Sequence, residues 1–400
     1  MNIGKRRLKL LLIVIAVNFV VYLIVEVSRG NQGKDSKNRA AVPTSRFWKS
    51  LKSPKSTEKA YWNREQQKLE DLYNPILALL SNTTVEENLL TNASLLNYCE
   101  PDFSVTTQVK DFQSLPERFK DFLLYLRCRN YSLVIDQPDK CSSTPLLLLA
   151  IKSLIPHFDR RQAIRESWGR EMKIGNVTVV RVFLLGQMPA EDSFPNLSDI
   201  LHFENEKHKD ILLWDFKDTF FNLTLKEVLF LKWVTTSCPN VKFIFKGDDD
   251  VFVNTYRILE FFRNLSNSKA KHLFMGDVIK DAGPHREKKL KYYIPESLYE
   301  GTYPPYAGGG GVLYSGEVAH RLYNVSQQVL LYPIDDVYIG MCLRKLGFAP
   351  EKHKGFKTFG IDEKYRSNIC VYRNLMLVHS RSPQEMITIW SKLKSPDLNC

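Results

Sequence analysis

The chain has 400 residues, of which 44% are hydrophobic and 25% are charged, and its formal net charge is +12 at pH 7. This charge does not indicate a nucleic-acid-binding protein, because part of it lies at the N-terminus and in residues 29–59. Another basic cluster lies within residues 286–291. It forms either a solvated loop or a surface that helps to hold an anionic ligand or a membrane.

The first segment with a clear pattern is residues 10–27, which are mostly apolar and follow four basic residues between positions 5 and 9. This pattern predicts a transmembrane signal anchor, with residues 1–9 in the cytosol and the remainder in a lumen. A cleaved signal peptide is the alternative, but no small-x-small cleavage site follows Val27. The polar and basic residues 28–59 predict a flexible stem.

A luminal location predicts glycans on the chain. Eight Asn-x-Ser/Thr sequons occur, starting at Asn82, Asn92, Asn130, Asn176, Asn196, Asn222, Asn264 and Asn324. Chance places a few sequons in any chain of this length, but eight of them behind an anchor favour N-glycosylation. We predict N-glycosylation at five of these sequons: Asn82, Asn92, Asn130, Asn176 and Asn222.

The seven cysteines indicate disulfides, since an oxidising lumen favours pairing. Their odd number leaves one cysteine free or available for an intermolecular bridge. Cys128 and Cys141 precede the first core strand and are candidates for structural disulfides, but the pairing does not follow from the sequence.

Residues 60–143 are predicted to form a small helical accessory subdomain. Apolar residues recur at three- and four-residue steps from Tyr61 to Leu80, and a second helical stretch covers 112–126. From residue 144 to residue 400 the pattern changes to alternating strands and helices. The predicted elements are strands at 146–151, 177–185, 211–214, 241–246 and 275–278 and helices at 160–169 and 225–236. This order predicts a mixed α/β sheet with helices on both faces and a ligand site at the carboxyl ends of the strands.

The most informative segment is Phe245–Val251, in which three consecutive aspartates end an apolar strand. Alternation along an extended backbone places Asp248 and Asp250 on the same side. Two carboxylates so placed suit a hard divalent cation, Mn²⁺ or Mg²⁺, which usually completes its shell with substrate phosphates. A solvated acidic turn is the alternative, but the apolar flanks favour a holder for a metal–diphosphate.

Five tyrosines between Tyr292 and Tyr306 precede a run of four glycines at 308–311. Aromatic rings stack on the apolar faces of sugars, so these tyrosines indicate either an acceptor cleft or the packing of a long loop onto the core. The glycines allow the backbone to approach a ligand closely. We therefore take Tyr292 and Tyr306 as candidate acceptor-binding residues and Gly309 and Gly310 as candidate donor-binding residues.

Two further segments place polar side chains at the ends of apolar elements. Asp335 and Asp336 open a predicted helix, where Asp335 could cap the helix and the other acid is left for chemistry. An aspartate at a helix start can accept a proton from a sugar hydroxyl. His379 ends another apolar strand; it could ligate the metal, although a lone histidine is more often part of a core.

Four segments together resemble the signatures of the inverting β-1,3-glycosyltransferases, in order and spacing: residues 160–168, 245–251, 306–314 and 334–340. The resemblance covers about 145–385, and it implies a GT-A fold, a type II Golgi membrane anchor and a divalent metal cofactor. Residues 61–66 and 119–128 are also similar to family members that build poly-N-acetyllactosamine. The implied reaction moves GlcNAc from UDP-GlcNAc to the 3-hydroxyl of a terminal galactose on glycoproteins or glycolipids. Association with other Golgi glycosyltransferases is a further expectation.

The resemblance also implies roles for individual residues. Asp336 matches the catalytic base, and Asp248, Asp250 and His379 match the metal ligands. Lys152, Arg165 and Asp249 fall where the family holds the donor, and Asp335 falls on the acceptor side.

Three alternative functions are also compatible with the sequence. A β-1,3-galactosyltransferase that uses UDP-galactose would share every catalytic motif. A catalytically silent Golgi lectin or chaperone would keep the fold, but it would have no need for an intact acidic metal site. A metal-dependent phosphoesterase would hydrolyse the UDP-sugar without an acceptor.

Overall fold

The computed structural model describes residues 60–73, 99–175, 177–190, 192 and 195–400, all within one compact unit. The predicted cytosolic tail, anchor and stem lie outside these residues, as do Asn82, Asn92 and Asn176. Within the described ranges, no helix is long and apolar enough to cross a membrane. The strands are β1 Leu133–Ile135, β2 Leu147–Lys152, β3 Met172–Ile174, β4 Val177–Gln187, β5 Ile211–Lys217, β6 Phe243–Asp248, β7 Val251–Val253, β8 Phe274–Gly276, β9 Val278–Ile279, β10 Tyr306–Ala307, β11 Gly311–Ser315, β12 Glu351–Lys352, β13 Phe356–Lys357 and β14 Leu377–His379.

Helices occur before, between and after these strands. The α-helices are α1 Tyr61–Leu72, α2 Val105–Gln108, α3 Glu117–Leu124, α4 Phe158–Glu166, α5 Ser198–His208, α6 Leu223–Ser237, α7 Thr255–Arg263, α8 Asn267–Lys271, α9 Gly316–Ser326, α10 Asp335–Lys345, α11 Ile369–Arg373 and α12 Pro383–Leu393. Short 3₁₀ turns cover Phe112–Ser114 and Glu363–Tyr365.

Nine strands of the described part of the chain form the main sheet, in the order β1-β5-β4-β2-β6-β11-β8-β12 with β3 paired to β4. The four central strands β5, β4, β2 and β6 are parallel to one another. Strand β11 runs antiparallel to β6, and β1 runs antiparallel to β5. The mixed α/β sheet predicted from the sequence is confirmed. Its parallel strands bring their carboxyl ends to one edge, where ligands of such sheets bind.

Helices pack on both faces of this sheet because successive residues of a buried strand point to opposite sides. Leu148 and Ala150 of β2 belong to one buried cluster with residues of α6, α9 and α10. Leu147 and Leu149 belong to a second cluster with residues of α4, α7 and α12. All six residues of β2 are buried, which explains why its sequence is a continuous apolar run rather than an alternating one.

The structure differs from the predicted elements in three places. The helix predicted over 112–126 is broken at Pro116, because Leu115 before it is extended, with φ −76° and ψ 151°. The strand predicted at 275–278 divides at Asp277, so that β8 joins the main sheet and β9 pairs with β10. Helix α4 begins and ends earlier than predicted, at Phe158 and Glu166.

Helix α1, in the predicted accessory region, packs on the segments around Leu298 and Leu331. The indole Nε1 of Trp62 donates a hydrogen bond to the carbonyl oxygen of Leu331 at 2.9 Å. Its ring meets Tyr299 and Tyr332 edge to face, with centroids 5.5 and 5.7 Å away. The buried tryptophan therefore fixes this helix against the segments that flank the tyrosine and glycine region.

Three disulfides connect distant parts of the chain: Cys99–Cys128, Cys141–Cys238 and Cys370–Cys400. Cys128 and Cys141 are thus both in disulfides, but each with another partner. The odd cysteine is Cys342, which is buried in α10. Of the candidate glycosylation sites that the structure describes, Asn130 is exposed and Asn222 is half-buried.

Candidate active site

A cavity of about 810 Å³ opens at the carboxyl ends of the parallel strands. Ser153 follows β2, Met188 follows β4 and Asp218 follows β5, and all three line it. The sequence-predicted site residues that line the same cavity are Lys152, Asp248, Asp249, Asp250, Tyr292, Tyr306, Gly309, Asp335, Asp336 and His379. The fold therefore gathers residues from widely separated segments into one cleft.

The predicted metal ligands come together within this cleft. Asp248, Asp250 and His379 each offer a ligand atom, and these atoms all lie within 4.8 Å of one another. Asp248 ends β6 and Asp250 directly precedes β7, which pairs with β14 so that His379 lies opposite Val251. Strand pairing thus delivers the histidine to the two carboxylates.

The donor set fits a divalent cation such as Mn²⁺ or Mg²⁺, since two carboxylates and an imidazole suit a borderline-hard ion. The Nδ1–H of His379 donates to the carbonyl oxygen of Thr358 at 2.8 Å. That bond fixes the tautomer and leaves Nε2 as the ligand atom, 3.3 Å from Oδ1 of Asp250. A carbonyl that orients a histidine in this way is typical of metal sites.

The electrostatics of Asp250 and His379 favour a charged pair. Burial opposes ionisation of Asp250, but the hydrogen bond and charge of His379 outweigh burial and lower its pKa. The same hydrogen bond is the main cause that raises the pKa of His379. A bound cation would replace that proton, so cation binding at these residues would release it.

Lys152 connects the metal cluster to the second acidic pair. Its Nζ lies 2.9 Å from Oδ1 of Asp248 and 2.9 Å from Oδ2 of Asp335. Burial opposes the positive charge, but nearby carboxylates, led by Asp248 and Asp335, outweigh it and raise the pKa of Lys152. A buried cation at this point can also attract the phosphates of a donor.

Asp335 and Asp336 occupy the first turn of α10 but differ in environment. The cap residue of this helix is Ile334, and no side chain caps it, so Asp335 binds Lys152 instead of capping. Burial opposes ionisation of Asp335, but Lys152 outweighs burial and lowers its pKa. Burial and the adjacent Asp335 charge together raise the pKa of Asp336. Asp336 is therefore the more basic carboxylate of the two.

Two glycines separate Asp336 from the metal cluster. A Cβ placed on Gly309 would lie 3.1 Å from Oδ2 of Asp336, and one on Gly310 would lie 3.5 Å from Cγ of His379. Gly310 has a φ of 95°, which favours glycine, and its carbonyl oxygen accepts from the amide of Asp248 at 3.1 Å. A side chain at these positions would fill the space between the two sets of acids.

Asp249, the middle aspartate, binds a different set of residues from the other two. Its carboxylate accepts hydrogen bonds from Ser153 Oγ at 2.7 Å and Arg160 Nη1 at 2.9 Å, and lies 2.7 Å from His157 Nδ1. Burial opposes ionisation, yet these partners, led by His157, lower the pKa of Asp249. Asp249 thereby ties the loop after β2 and the start of α4 to the acidic turn.

The tyrosines lie near the base. Burial is the main cause that raises the pKa of Tyr306 to about 12, and the Asp336 charge adds to it. Burial is also the main cause that raises the pKa of Tyr292, and the charge of Asp336 again adds to it. Tyr292 is 46% exposed and lines the cavity, so its ring is available to a ligand.

The structure does not bring Arg165 to the cavity. Its guanidinium is buried, 2.8 Å from Asp210 and 2.6 Å from Glu204, and Arg181 also pairs with Asp210. These neighbours make it part of a structural ion-pair cluster under α4. Arg160, one turn earlier, lines the cavity in its place.

Four residues of the cavity wall were not predicted from the sequence: Arg160, His157 and the buried pair of Lys226 with Asp218. Lys226 Nζ lies 2.7 Å from Asp218 Oδ2 and donates to the carbonyl oxygen of Ser153 at 3.0 Å. The resembling segment 160–168 contains Arg160, so its basic residues were a usable signal. Nothing in the local sequence indicates the Lys226 pair, because its members meet only in the fold.

The fold and this cleft define a glycosyltransferase that uses a nucleotide sugar. A family model described as Galactosyltransferase matches residues 159–354. The chain is 65% identical to the N-acetyllactosaminide beta-1,3-N-acetylglucosaminyltransferase 2 of Homo sapiens and to that of Mus musculus, over 100% of each chain. It is 45% identical to the UDP-GlcNAc:betaGal beta-1,3-N-acetylglucosaminyltransferase 7 of Mus musculus, over 72% of this chain and 74% of that protein. The chain therefore belongs to this galactosyltransferase family of β-1,3-glycosyltransferases.

Proposed function

We propose that the chain transfers GlcNAc from UDP-GlcNAc to the 3-hydroxyl of a terminal galactose in β linkage and so extends poly-N-acetyllactosamine. The names of the full-length relatives support this donor and this linkage. A GT-A fold is consistent with the mixed sheet and with the acidic turn at the end of β6.

The observation that carries the proposal is the position of Asp336 relative to the metal-ligand cluster. A Cβ on Gly309 would lie 3.1 Å from Oδ2 of Asp336 and one on Gly310 would lie 3.5 Å from Cγ of His379, so two consecutive glycines lie next to the base and to a metal ligand. A sugar bound over these glycines would have the base on one side and the diphosphate on the other. That is the arrangement that an in-line displacement requires.

The stereochemistry follows from this arrangement. The donor sugar is α-linked to UDP and the product is β-linked, so one displacement with inversion is sufficient. Asp336 accepts the proton of the attacking 3-hydroxyl, and its raised pKa makes it a better base than an ordinary carboxylate. Lys152 places its positive charge next to Asp248, where the donor phosphates would lie. Mn²⁺ or Mg²⁺ bound by Asp248, Asp250 and His379 would supply electrostatic stabilisation of the departing diphosphate.

The nucleoside would extend from the diphosphate over the ends of β4 and β5. In open α/β sheets, ligands bind outside the carboxyl ends of the parallel strands. Asp218 Oδ1 and Thr219 Oγ1 lie at the end of β5, and neither has a hydrogen-bond partner among the described residues. Both residues line the cavity, so they are candidate neighbours of a uridine bound at the strand ends.

The cellular location belongs to the same proposal. Three disulfides and the exposed sequon at Asn130 are consistent with an oxidising lumen. A Golgi membrane protein of type II topology, anchored by residues 10–27, would place the cavity in the compartment that holds galactose-terminated glycans.

The direct test uses the full chain in detergent with UDP-GlcNAc, a lactosamine acceptor and Mn²⁺, with and without EDTA. A β-1,3-linked GlcNAc product that EDTA abolishes is expected. Transfer from UDP-galactose instead would favour the galactosyltransferase alternative. UDP release without an elongated acceptor would indicate hydrolysis, and a folded chain without turnover on either donor would favour a lectin or chaperone.

A further inference from the structure

Phe359 has an unusual position for a phenylalanine. Its side chain is 82% exposed, more than any other large hydrophobic side chain among the residues that the structure describes. It lines the same cavity as Asp336 and His379. An apolar ring left in water at the edge of a polar cleft gains free energy when a ligand covers it.

The backbone beneath this ring is held in place. The amide of Gly360 donates to the carbonyl oxygen of Lys357 at 3.0 Å, and Gly360 has a φ of 78°, so residues 357–360 form a closed turn. Thr358 is buried, and its carbonyl oxygen binds His379. Phe359 is thus presented outward by a turn whose backbone is bound to the metal-ligand cluster through the carbonyl oxygen of Thr358.

The turn lies beside both the metal-ligand cluster, through the bond between Thr358 and His379, and the glycine segment next to the base. A Cβ on Gly308 would lie 3.2 Å from Cγ2 of Thr358, and the next residue, Gly309, faces Asp336. The strand ends that would hold the nucleoside form a different part of the cavity lining, at Met188 and Asp218. Phe359 therefore lies on the cavity wall beside the reaction centre, rather than on the strand ends where the nucleoside would bind.

We propose that Phe359 is a stacking platform for the acceptor sugars beyond the terminal galactose, so that it sets a preference for longer chains. The proposal rests on the transfer reaction proposed above. With the 3-hydroxyl of galactose at Asp336, the rest of the acceptor passes outward through the mouth of the cavity. The apolar C–H face of a sugar ring covers an aromatic face well, and the backbone that carries this ring is already ordered by the turn.

The test is an acceptor series for the full chain: methyl β-galactoside, the lactosamine disaccharide and the lactosamine tetrasaccharide. Phe359→Ala is expected to lower kcat/KM for the tetrasaccharide roughly three- to tenfold, the size of one lost aromatic contact. With methyl β-galactoside the variant should equal the unmodified chain. Phe359→Trp should retain the preference for the tetrasaccharide.

Phe203→Ala is the matched control, because Phe203 is 68% exposed on α5 and does not line the cavity. This variant should leave all three acceptors unchanged. An equal loss for every acceptor in Phe359→Ala would overturn the platform, and so would a raised KM for UDP-GlcNAc that is independent of acceptor length. If the unmodified chain transfers GlcNAc to no acceptor, the proposed function itself fails, which is a separate result.

Discussion

Lys152 and Asp248 occupy opposite positions on the neighbouring parallel strands β2 and β6, and Lys152 Nζ lies 2.9 Å from Oδ1 of Asp248. The same ammonium group binds Asp335 at the start of α10. One side chain therefore connects the metal-ligand cluster with the acidic pair that contains the base. The two halves of the cleft are held at a fixed separation by this contact.

Replacement of Lys152 should affect stability as well as activity. Lys152→Met leaves the buried Asp335 carboxylate without its cation, and removal of one partner of a buried ion pair costs about 3–5 kcal/mol. We expect a loss of that order in the free energy of unfolding, measured by urea denaturation. The double variant Lys152→Met/Asp335→Asn should recover most of the stability but no transfer. Full stability in Lys152→Met alone would show that the pair does not hold the fold.

Asp336→Asn separates catalysis from binding. The amide has nearly the same shape as the carboxylate but cannot accept the hydroxyl proton, so transfer should fall by at least about 100-fold, the lower limit for a lost general base. UDP affinity, measured by calorimetry with Mn²⁺, should change little because the metal ligands are intact. Asp218→Asn, which changes a cavity-lining residue at the end of β5, should instead weaken UDP binding. Retained transfer in Asp336→Asn would remove Asp336 from the role of base.

The raised pKa of Asp336 also predicts a pH dependence of stability. The folded state binds this proton more tightly than the unfolded state, so the group favours the fold fully below the ordinary carboxylate pKa and loses that effect as pH rises through its folded pKa. Asp336→Asn cannot ionise. Its Tm relative to the unmodified chain should therefore increase as pH rises from about 4 towards 8. A constant difference across this range would contradict a raised pKa.

The sequence predicted the chemistry at strand ends better than the contacts between distant residues. Asp248 and Asp250 could be assigned to one side because alternation along a strand is local. The break at Pro116 was missed, although the signal is local, since proline restricts the residue before it. In contrast, the pairing of Arg165 with Asp210 depends on the packing of α4 against the sheet, and no periodicity encodes it. The disulfide partners were undetermined for the same reason.

Arg160 and Arg165 offer a comparison of two arginines on one helix. Arg165→Gln leaves the fully buried Asp210 with Arg181 as its remaining cation, so we expect a loss of about 3 kcal/mol in stability. Arg160 is partly exposed and binds Asp249 at the cavity wall. Arg160→Gln should keep the fold and raise the KM for UDP-GlcNAc roughly tenfold, the size of one charge-assisted hydrogen bond. A raised KM for UDP-GlcNAc in Arg165→Gln, together with a loss of stability in Arg160→Gln, would instead indicate that Arg165 binds the donor.

The unpaired cysteine, Cys342, is buried in α10. Burial raises the pKa of Cys342 to about 12, so the group stays a protonated thiol at neutral pH, and the thiolate is the reactive form. The other six cysteines are in disulfides, which leaves one thiol to label. Without reductant, the folded chain should take up no iodoacetamide, whereas the chain unfolded in guanidinium should take up one equivalent.

The same burial excludes an intermolecular bridge through this residue in the folded protein. Non-reducing electrophoresis of the full chain, alkylated during denaturation, should therefore show a single monomer band, and Cys342→Ala should show the same band. A covalent dimer that disappears in Cys342→Ala would mean that α10 opens far enough to expose the thiol. Since Asp335 and Asp336 begin that helix, such opening would also disturb the base and should lower transfer in parallel.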